Sequence, residues 1–484
     1  MADTPKRSTE GNGHGELPAP LRPENNASLA EEISVRADTV KTGLSVHSHK
    51  TKKQKLEGPG GRIAIVDGCR TPFVKAGTAF KDMDTIDMAG AAVGELVART
   101  GIDPAEIDLS VFGTVIPSVQ APNLGREVIF RTGLPMDIPG TTVNLACASS
   151  NRAICFGAEA ILTGEAEVVL AGGAESLSNV PILFSKKASA TFVALSRAKS
   201  VQAKVGTLAK LRPQDLAPQA PAIAEYTTGM SMGESGEKMA KENDISRRSQ
   251  DEVALASHHR AAAAIEDGRM AEMIAPVFPP PRYDEAVAVD NGVRSDTSLE
   301  KLAELRPVFD KRYGTLTAGN SSPLTDGASA VLLMSEDKAK ALGYEPLGYI
   351  RSFAFTALDP GGQLLQAPAY AAPVALERGG VELADMDLIE MHEAFASQIV
   401  SNLKALASKK FAEEELGRSK PVGEIDLARV NVTGGSISIG HPFGATGARV
   451  VMQLLYEMRR RDVGLGLVTV CAAGGMGHAM VVER

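Results

Sequence analysis

The chain has 484 residues, a formal net charge of −8, four cysteines and no tryptophan. Its length calls for two or three domains, and its negative balance excludes wholesale nucleic-acid binding. Cys69, Cys147, Cys155 and Cys471 are dispersed, without the spacing of a disulfide framework or a CxxC metal site, which fits a reduced, cytoplasmic compartment.

Residues 1–60 contain no apolar secretory core, and Glu10, Glu16, Glu24, Glu31 and Glu32 oppose a transit peptide. Their polar composition predicts a disordered tail with a basic run at His49–Lys55. No apolar run reaches the roughly 18 residues of a spanning helix.

Regular structure is expected from Arg62–Asp67, a short apolar strand after Gly58–Gly61. Met88, Ala91, Ala92, Leu96 and Val97 line one face of a helix over Asp87–Arg99, stopped by Gly101–Pro104, and Leu109–Val115 is the next strand. In Val143–Arg152 an apolar run gives way to small residues, and Ala153, Ile154, Phe156, Ala160 and Ile161 then follow helical spacing. Cys147 thus falls where a strand ends and a helix begins. Free N–H groups and the helix dipole there are expected to lower a thiol pKa below its usual value of roughly 8.5. Two readings stand at this point, a nucleophile and a buried structural thiol. Ala166–Ala171 is a further buried strand, ending at Gly172–Gly173. The alternation predicts an α/β architecture with largely parallel sheets.

Residues 181–310 follow a different pattern. Ser185–Pro213 holds seven Lys and Arg and no acidic residue, interleaved with Phe184, Phe192, Val193, Val201, Val205 and Leu208. This suits an anionic surface, such as a membrane or a phosphate-bearing ligand, or equally a helical cap with a solvated basic face. Met232–Lys241 and Ser246–Glu266 read as helices, and Pro276–Pro281 as a rigid connector.

The ends of the chain repeat one another. Gly101–Leu109 resembles Gly380–Leu388, Val143-Asn144 resembles Val430-Asn431, Leu170–Gly173 resembles Cys471–Gly475, and Arg62–Val66 has a partner in Leu347–Arg351. Four matches in one order indicate a duplicated α/β half, with both sets of strand-end loops around one cleft. The expected organisation is a tail (1–60), a first half (61–180 and 311–340) interrupted by a loop domain (181–310), and a second half (341–484).

Three second-half loops carry further chemistry. Leu388–Phe395 delivers His392 and Glu393 to a strand end, Gly434–Gly447 surrounds His441 with glycines, and Leu467–Gly477 places Cys471 at a strand end. Two Cys and two His at strand ends suit either a metal site or a cysteine-nucleophile enzyme.

Together with Gly314–Gly327, these motifs resemble the thiolase superfamily over roughly Gly61–Arg484. His392 stands where most thiolases have Asn; that departure and the long 181–226 insert resemble the β-subunits of trifunctional fatty-acid-oxidation complexes. The resemblance implies a five-layered α-β-α-β-α fold and CoA-dependent cleavage of 3-ketoacyl-CoA, with coenzyme A as co-substrate, no permanent cofactor and no metal. It implies Cys147 as the acylated nucleophile, His441 as its base and Cys471 as proton donor and acceptor. His392, through a water, and His441 would form one oxyanion hole, the backbone N–H groups of Cys147 and Ala473 a second, and Ser322 would lie beside the pantetheine arm. Implied partners are a second copy of the chain, an α-subunit with enoyl-CoA hydratase and 3-hydroxyacyl-CoA dehydrogenase activities, and a peripheral membrane contact. Biosynthetic acetoacetyl-CoA formation and a non-catalytic scaffold are the alternatives.

Overall fold

A computed structural model describes residues 27–42, 56–218 and 224–484. The basic run His49–Lys55 lies outside them. The major strands are β1 (Gly61–Arg70), β2 (Leu109–Gly113), β3 (Gly140–Val143), β4 (Val168–Glu175), β5 (Thr325–Ser335), β6 (Gly348–Ala357), β7 (Leu388–Met391), β8 (Leu465–Ala472) and β9 (Met476–Glu483). They form one continuous path, β3-β2-β4-β5-β1-β6-β9-β8-β7.

Helices form where the sequence supplies both an apolar face and end signals. In α2 (Thr85–Thr100), Asp84 and Asp87 make a capping box, and Gly101 closes the helix in the left-handed conformation at φ 63°. With α3 (Leu124–Thr132) it covers the outer face of the first half-sheet, burying Met88, Val93, Leu96, Val128 and Ile129. Helices α9 (Ala367–Gly379) and α10 (Ala396–Ala407) cover the outer face of the second. Between the half-sheets lie α4 (Ser149–Thr163) and α11 (Thr446–Arg461), packed on Val331 and Leu333 of one half and Val468 and Val470 of the other. Three helical layers and two sheet layers make the α-β-α-β-α arrangement.

The duplication is written into the topology. Strands β3-β2-β4-β5-β1 of the first half correspond to the Val430 bridge, β7, β8, β9 and β6 of the second. Gly101 and Gly380 both end helices in the left-handed region, at φ 63° and 65°, and each leads into a single 3-10 turn. The equivalent strands β1 and β6 pair antiparallel, Ile63 opposite Ile350, joining the half-sheets edge to edge.

Four expectations need correction. Only the β2–β3, β2–β4 and β7–β8 pairings are parallel among the major strands; the others are antiparallel. The long excursion from β4 to β5 and the tight β8–β9 hairpin return the chain in the opposite sense. Second, Leu109 pairs with Val169 and Leu388 with Gly466, so the counterpart of Cys471 is Ala174, and the match of Leu170–Gly173 with Cys471–Gly475 is out of register. Third, the tail expected over 1–60 includes ordered parts, α1 (Ala27–Val35) and the first strand residues from Glu57. Leu29, Ile33 and Val40 are buried in the outer second-half core, and Glu32 accepts from the Ser246 N–H and the Ser249 hydroxyl. Three apolar anchors within a polar segment hold α1 against α10 and the loop domain.

The fourth concerns Ser185–Pro213, which folds as α5 (Lys186–Arg197) and α6 (Val201–Leu208), capped by Ser185 and Ser200. The two helices bury only Ala188, and Ile182, Phe184, Val193, Val201 and Val205 are exposed. They therefore do not form a cap with its apolar side inward on this chain. The remainder of 181–310 includes α7 (Met232–Glu242), with a Ser231–Glu234 capping box, and α8 (Arg247–Glu266), capped by Ser246.

Candidate active site

Cys147 occupies a tight turn between β3 and α4. Ala146 adopts φ 46°. The Ser149 hydroxyl donates to the Ala146 carbonyl (2.7 Å) and accepts the Leu145 N–H (2.9 Å), while the Asn144 side-chain oxygen accepts the Ala146 N–H (3.1 Å). Small residues permit the close packing. A Cβ on Gly173 of β4 would sit 2.0 Å from the Gly444 carbonyl oxygen, so glycine is needed where the halves meet. Glu175, buried beside it, accepts N–H bonds from Val115 (2.9 Å), Ile116 (3.0 Å) and, across the halves, Gly444 (3.0 Å). Burial pushes its carboxyl pKa up, and these N–H groups oppose the shift.

Where the first half passes directly from β3 into α4, the second inserts the turn Ser436–Ile439 and the loop Gly440–Ala445 before α11. That insertion carries His441. Its Nε2 lies 3.1 Å from the Cys147 sulfur and its Nδ1 lies 2.6 Å from the Thr446 hydroxyl. Because that hydroxyl donates to the Pro442 carbonyl (3.1 Å), it accepts from His441, which assigns the proton to Nδ1. The Nε2 lone pair then faces the thiol, which donates to it. Burial and the nearby Arg449 lower the His441 pKa to about 3, while burial raises that of Cys147 to about 12. The resting pair is a neutral thiol and a neutral imidazole. The lowered thiol pKa expected from the helix start is thus corrected: the cost of burying the charge outweighs the N–H groups of Cys147 and Ala473 that favour the thiolate.

The other expected residues converge on this pair. His392, just past β7, packs against His441 with ring centroids 4.1 Å apart and planes inclined at 46°, and its Nδ1 lies 2.8 Å from the Ser436 hydroxyl. Burial, then His441 and Arg449, hold its pKa well below the usual imidazole value. Cys471 is the penultimate residue of β8; burial foremost, then Cys147, pushes its thiol pKa well above the usual value. The following hairpin turn brings the Ala473 N–H to the Cys147 sulfur, and Gly474 donates its N–H to Glu225 of the loop domain. Ser322 borders the histidine loop, its N–H bonded to the Ala394 carbonyl at 3.0 Å. Within the basic segment, Lys187 and Arg212 pair with Asp215. One donor atom each from Cys147, His392 and His441 lie within 4.8 Å of one another, a set that also suits a soft cation. The direct Cys147–His441 hydrogen bond is instead the arrangement of a nucleophile and its base.

Glu175, Ser436, Thr446 and Arg449 were not singled out in the sequence. Ser436 and Thr446 lie inside the Gly434–Gly447 motif, where a hydroxyl near a histidine is a signal for tautomer control. Arg449, Gln453 and Glu457 recur every four residues on α11, which is buried from Thr446 to Met458. A polar stripe on a helix apolar elsewhere marks an internal network. Glu175 carries no such pattern, because its N–H donors come from three separate loops.

Residues 63–337 match the family model of the thiolase N-terminal domain and residues 344–484 that of the thiolase C-terminal domain. A 3-ketoacyl-CoA thiolase of Pseudoalteromonas translucida is 50% identical over 424 residues, covering 88% of this chain and 97% of that protein. One of Pectobacterium atrosepticum is 51% identical with the same coverage. Among solved structures, human mitochondrial 3-ketoacyl-CoA thiolase in complex with CoA superposes with a TM-score of 0.76 at 30% identity, over 90% of this chain and all of that one. Bacillus anthracis acetyl-CoA acetyltransferase gives 0.75 at 32% identity, over 87% of this chain and 98% of that one.

Proposed function

From the premise that this chain belongs to the thiolase family, we propose that it is a 3-ketoacyl-CoA thiolase of fatty-acid β-oxidation. The carrying observation is the 3.1 Å contact between the Cys147 sulfur and His441 Nε2, with a second thiol, Cys471, on the same site. A thiol–imidazole pair suits acyl transfer; the additional thiol supplies the separate proton donor that carbon–carbon cleavage requires.

Cys147 attacks the 3-keto carbon as its proton passes to His441 Nε2. The high thiol pKa and low imidazole pKa mean that this transfer accompanies the attack. Protonated His441 then donates an N–H toward the developing oxyanion, alongside a water held by His392. Collapse of the tetrahedral adduct breaks the Cα–Cβ bond, and Cys471 protonates the acetyl-CoA enolate that leaves. The Cys471 thiolate next takes the thiol proton of free CoA. The CoA sulfur attacks the acyl-Cys147 thioester through a second adduct held by the Cys147 and Ala473 N–H groups. Acyl-CoA shortened by two carbons departs, and Cys147 recovers its proton from His441. Ser322, at the rim, contacts the pantetheine arm.

In this reading the enzyme works as a cytoplasmic oligomer with an α-subunit bearing hydratase and dehydrogenase activities. The exposed apolar and basic surface of α5 and α6 supports a membrane or partner contact. Among the described residues no helix is long and apolar enough to cross a membrane. Likeness to an acetyl-CoA acetyltransferase also supports the biosynthetic direction as a second reading. A thiolysis assay on 3-ketoacyl-CoA from about C4 to about C16 decides. CoA-dependent cleavage of long substrates is expected; activity confined to acetoacetyl-CoA selects the biosynthetic reading, and none at any length removes both.

A further inference from the structure

The two adjacent imidazoles are held by hydroxyls that face opposite electrostatic demands. Thr446, on His441, gives its proton to a backbone carbonyl, so it receives one from the imidazole. Ser436, on His392, has a different neighbour. Arg449 Nη2 lies 2.7 Å from the Ser436 oxygen, and a guanidinium can only donate. The Ser436 proton must therefore go elsewhere, and its other hydrogen-bond partner is His392 Nδ1 at 2.8 Å. His392 Nδ1 is then an acceptor, and the ring carries its proton on Nε2. That nitrogen is buried and has no hydrogen-bond partner among the described residues.

We propose that Arg449 and Ser436 are positioning residues that lock His392 as the Nε2–H tautomer, so that it faces the reaction centre as an N–H donor while its neighbour His441 is locked as an acceptor. This rests on the thiolase reading for what the donor does, and on geometry alone for the tautomer. Both controls come from one helix start, since Thr446 and Arg449 stand three residues apart on α11. Arg449 is itself fixed by a 3.2 Å bond to Gln453 and by Glu390, 3.9 Å away, with all three side chains buried.

The alternative tautomer leaves the network unsatisfied. With the proton on Nδ1, His392 and Arg449 would both donate to Ser436, whose own proton would lack an acceptor in a fully buried setting. A buried polar hydrogen without a partner is disfavoured. The arrangement also shows what a histidine needs in order to serve as a donor at this position. An amide always offers N–H donors, whereas an imidazole offers one toward the substrate only if the far nitrogen accepts.

The full-length protein labelled with 15N-histidine tests the assignment, with His392→Asn identifying the signals. Wild type should show a pyridine-type Nδ1 and a pyrrole-type Nε2 at His392, and Ser436→Ala should abolish that bias; a pyrrole-type Nδ1 in wild type overturns the proposal. Kinetically, Ser436→Ala should lower kcat by about 10–100-fold with KM little changed, and Ser436→Thr should restore most of it. In a His392→Asn background, Ser436→Ala should add nothing; full additivity of the two losses would overturn the relay, because it would mean that Ser436 acts other than through His392. Since the NMR readout needs no substrate, failure of thiolysis in wild type removes the functional reading while leaving the tautomer assignment to stand or fall by itself.

Discussion

The two halves share a strand order and similar turns, yet they contribute unequally to the chemistry. The first half brings β3 directly into α4 and leaves room there for one reactive residue, Cys147. The second half interrupts the same connection with Ser436–Ala445, and that insertion bears His441 and the hydroxyl that holds His392. Its strand β8 also carries Cys471, one residue before the strand ends, where the equivalent position of β4 in the first half holds Ala174 and no thiol. Duplication supplied a symmetrical frame; a ten-residue insertion on one side supplied the asymmetry that catalysis needs.

The largest effects should come from separating the two thiols. Cys147→Ala should abolish both turnover and covalent labelling by an activated acyl-CoA. Cys471→Ala should lower turnover by more than about a thousandfold and still give acyl-enzyme, visible by mass spectrometry. Equal loss of labelling in both variants would erase the division of labour between the halves. The next test is pH. With the thiol raised by burial and no preformed ion pair, alkylation of Cys147 by iodoacetamide should quicken about tenfold per pH unit between about pH 7 and about pH 10. A plateau below about pH 8 would mean that the helix start, not burial, governs this sulfur.

A smaller effect tests the seam. Glu175→Gln keeps the shape but weakens acceptance from Val115, Ile116 and Gly444, and should cost roughly 1–3 kcal/mol in urea unfolding. Unchanged stability would show that the halves are held together without this carboxylate. Least disturbing to activity is Leu29→Asp, which places a charge where α1 meets the core. Faster hydrogen exchange over Ala27–Val35 with unchanged kcat is expected; unchanged exchange would show that Leu29 is not an anchor.

Much of the frame was legible because it depends on local signals. The capped helices, the helix-stopping glycines and the buried strands announce themselves in spacing, and the repeat of Gly101–Leu109 at Gly380–Leu388 exposed the duplication. Cys147, His392, His441 and Cys471 were legible as a constellation through their resemblance to a family, and folding brings all four together. What stayed hidden depends on long-range contacts. Strand direction is set by where β4 and β5 meet after the excursion between them, not by any local pattern. The docking of α1 rests on apolar residues diluted in a polar segment. The thiol pKa is not legible locally, because a helix start is visible in sequence whereas desolvation by the opposite half is not. The Ser436–Arg449 link joins residues 13 apart through a fold that no local periodicity specifies.

The β1–β6 seam also constrains how the chain reaches this state. β1 begins at Gly61, but its antiparallel neighbours are β5, from Thr325, and β6, from Gly348. A nascent chain therefore emerges with an apolar strand that has no sheet to join until several hundred residues have been synthesised. Closing so large a loop comes late, after the cost in chain entropy has been met by few contacts. Until then an unpaired, hydrophobic edge is open to other chains. The seam that brings two thiols into one cleft thus also delays completion of the first half-sheet until β5 and β6 have been made, and leaves β1 as an exposed apolar edge in the interval.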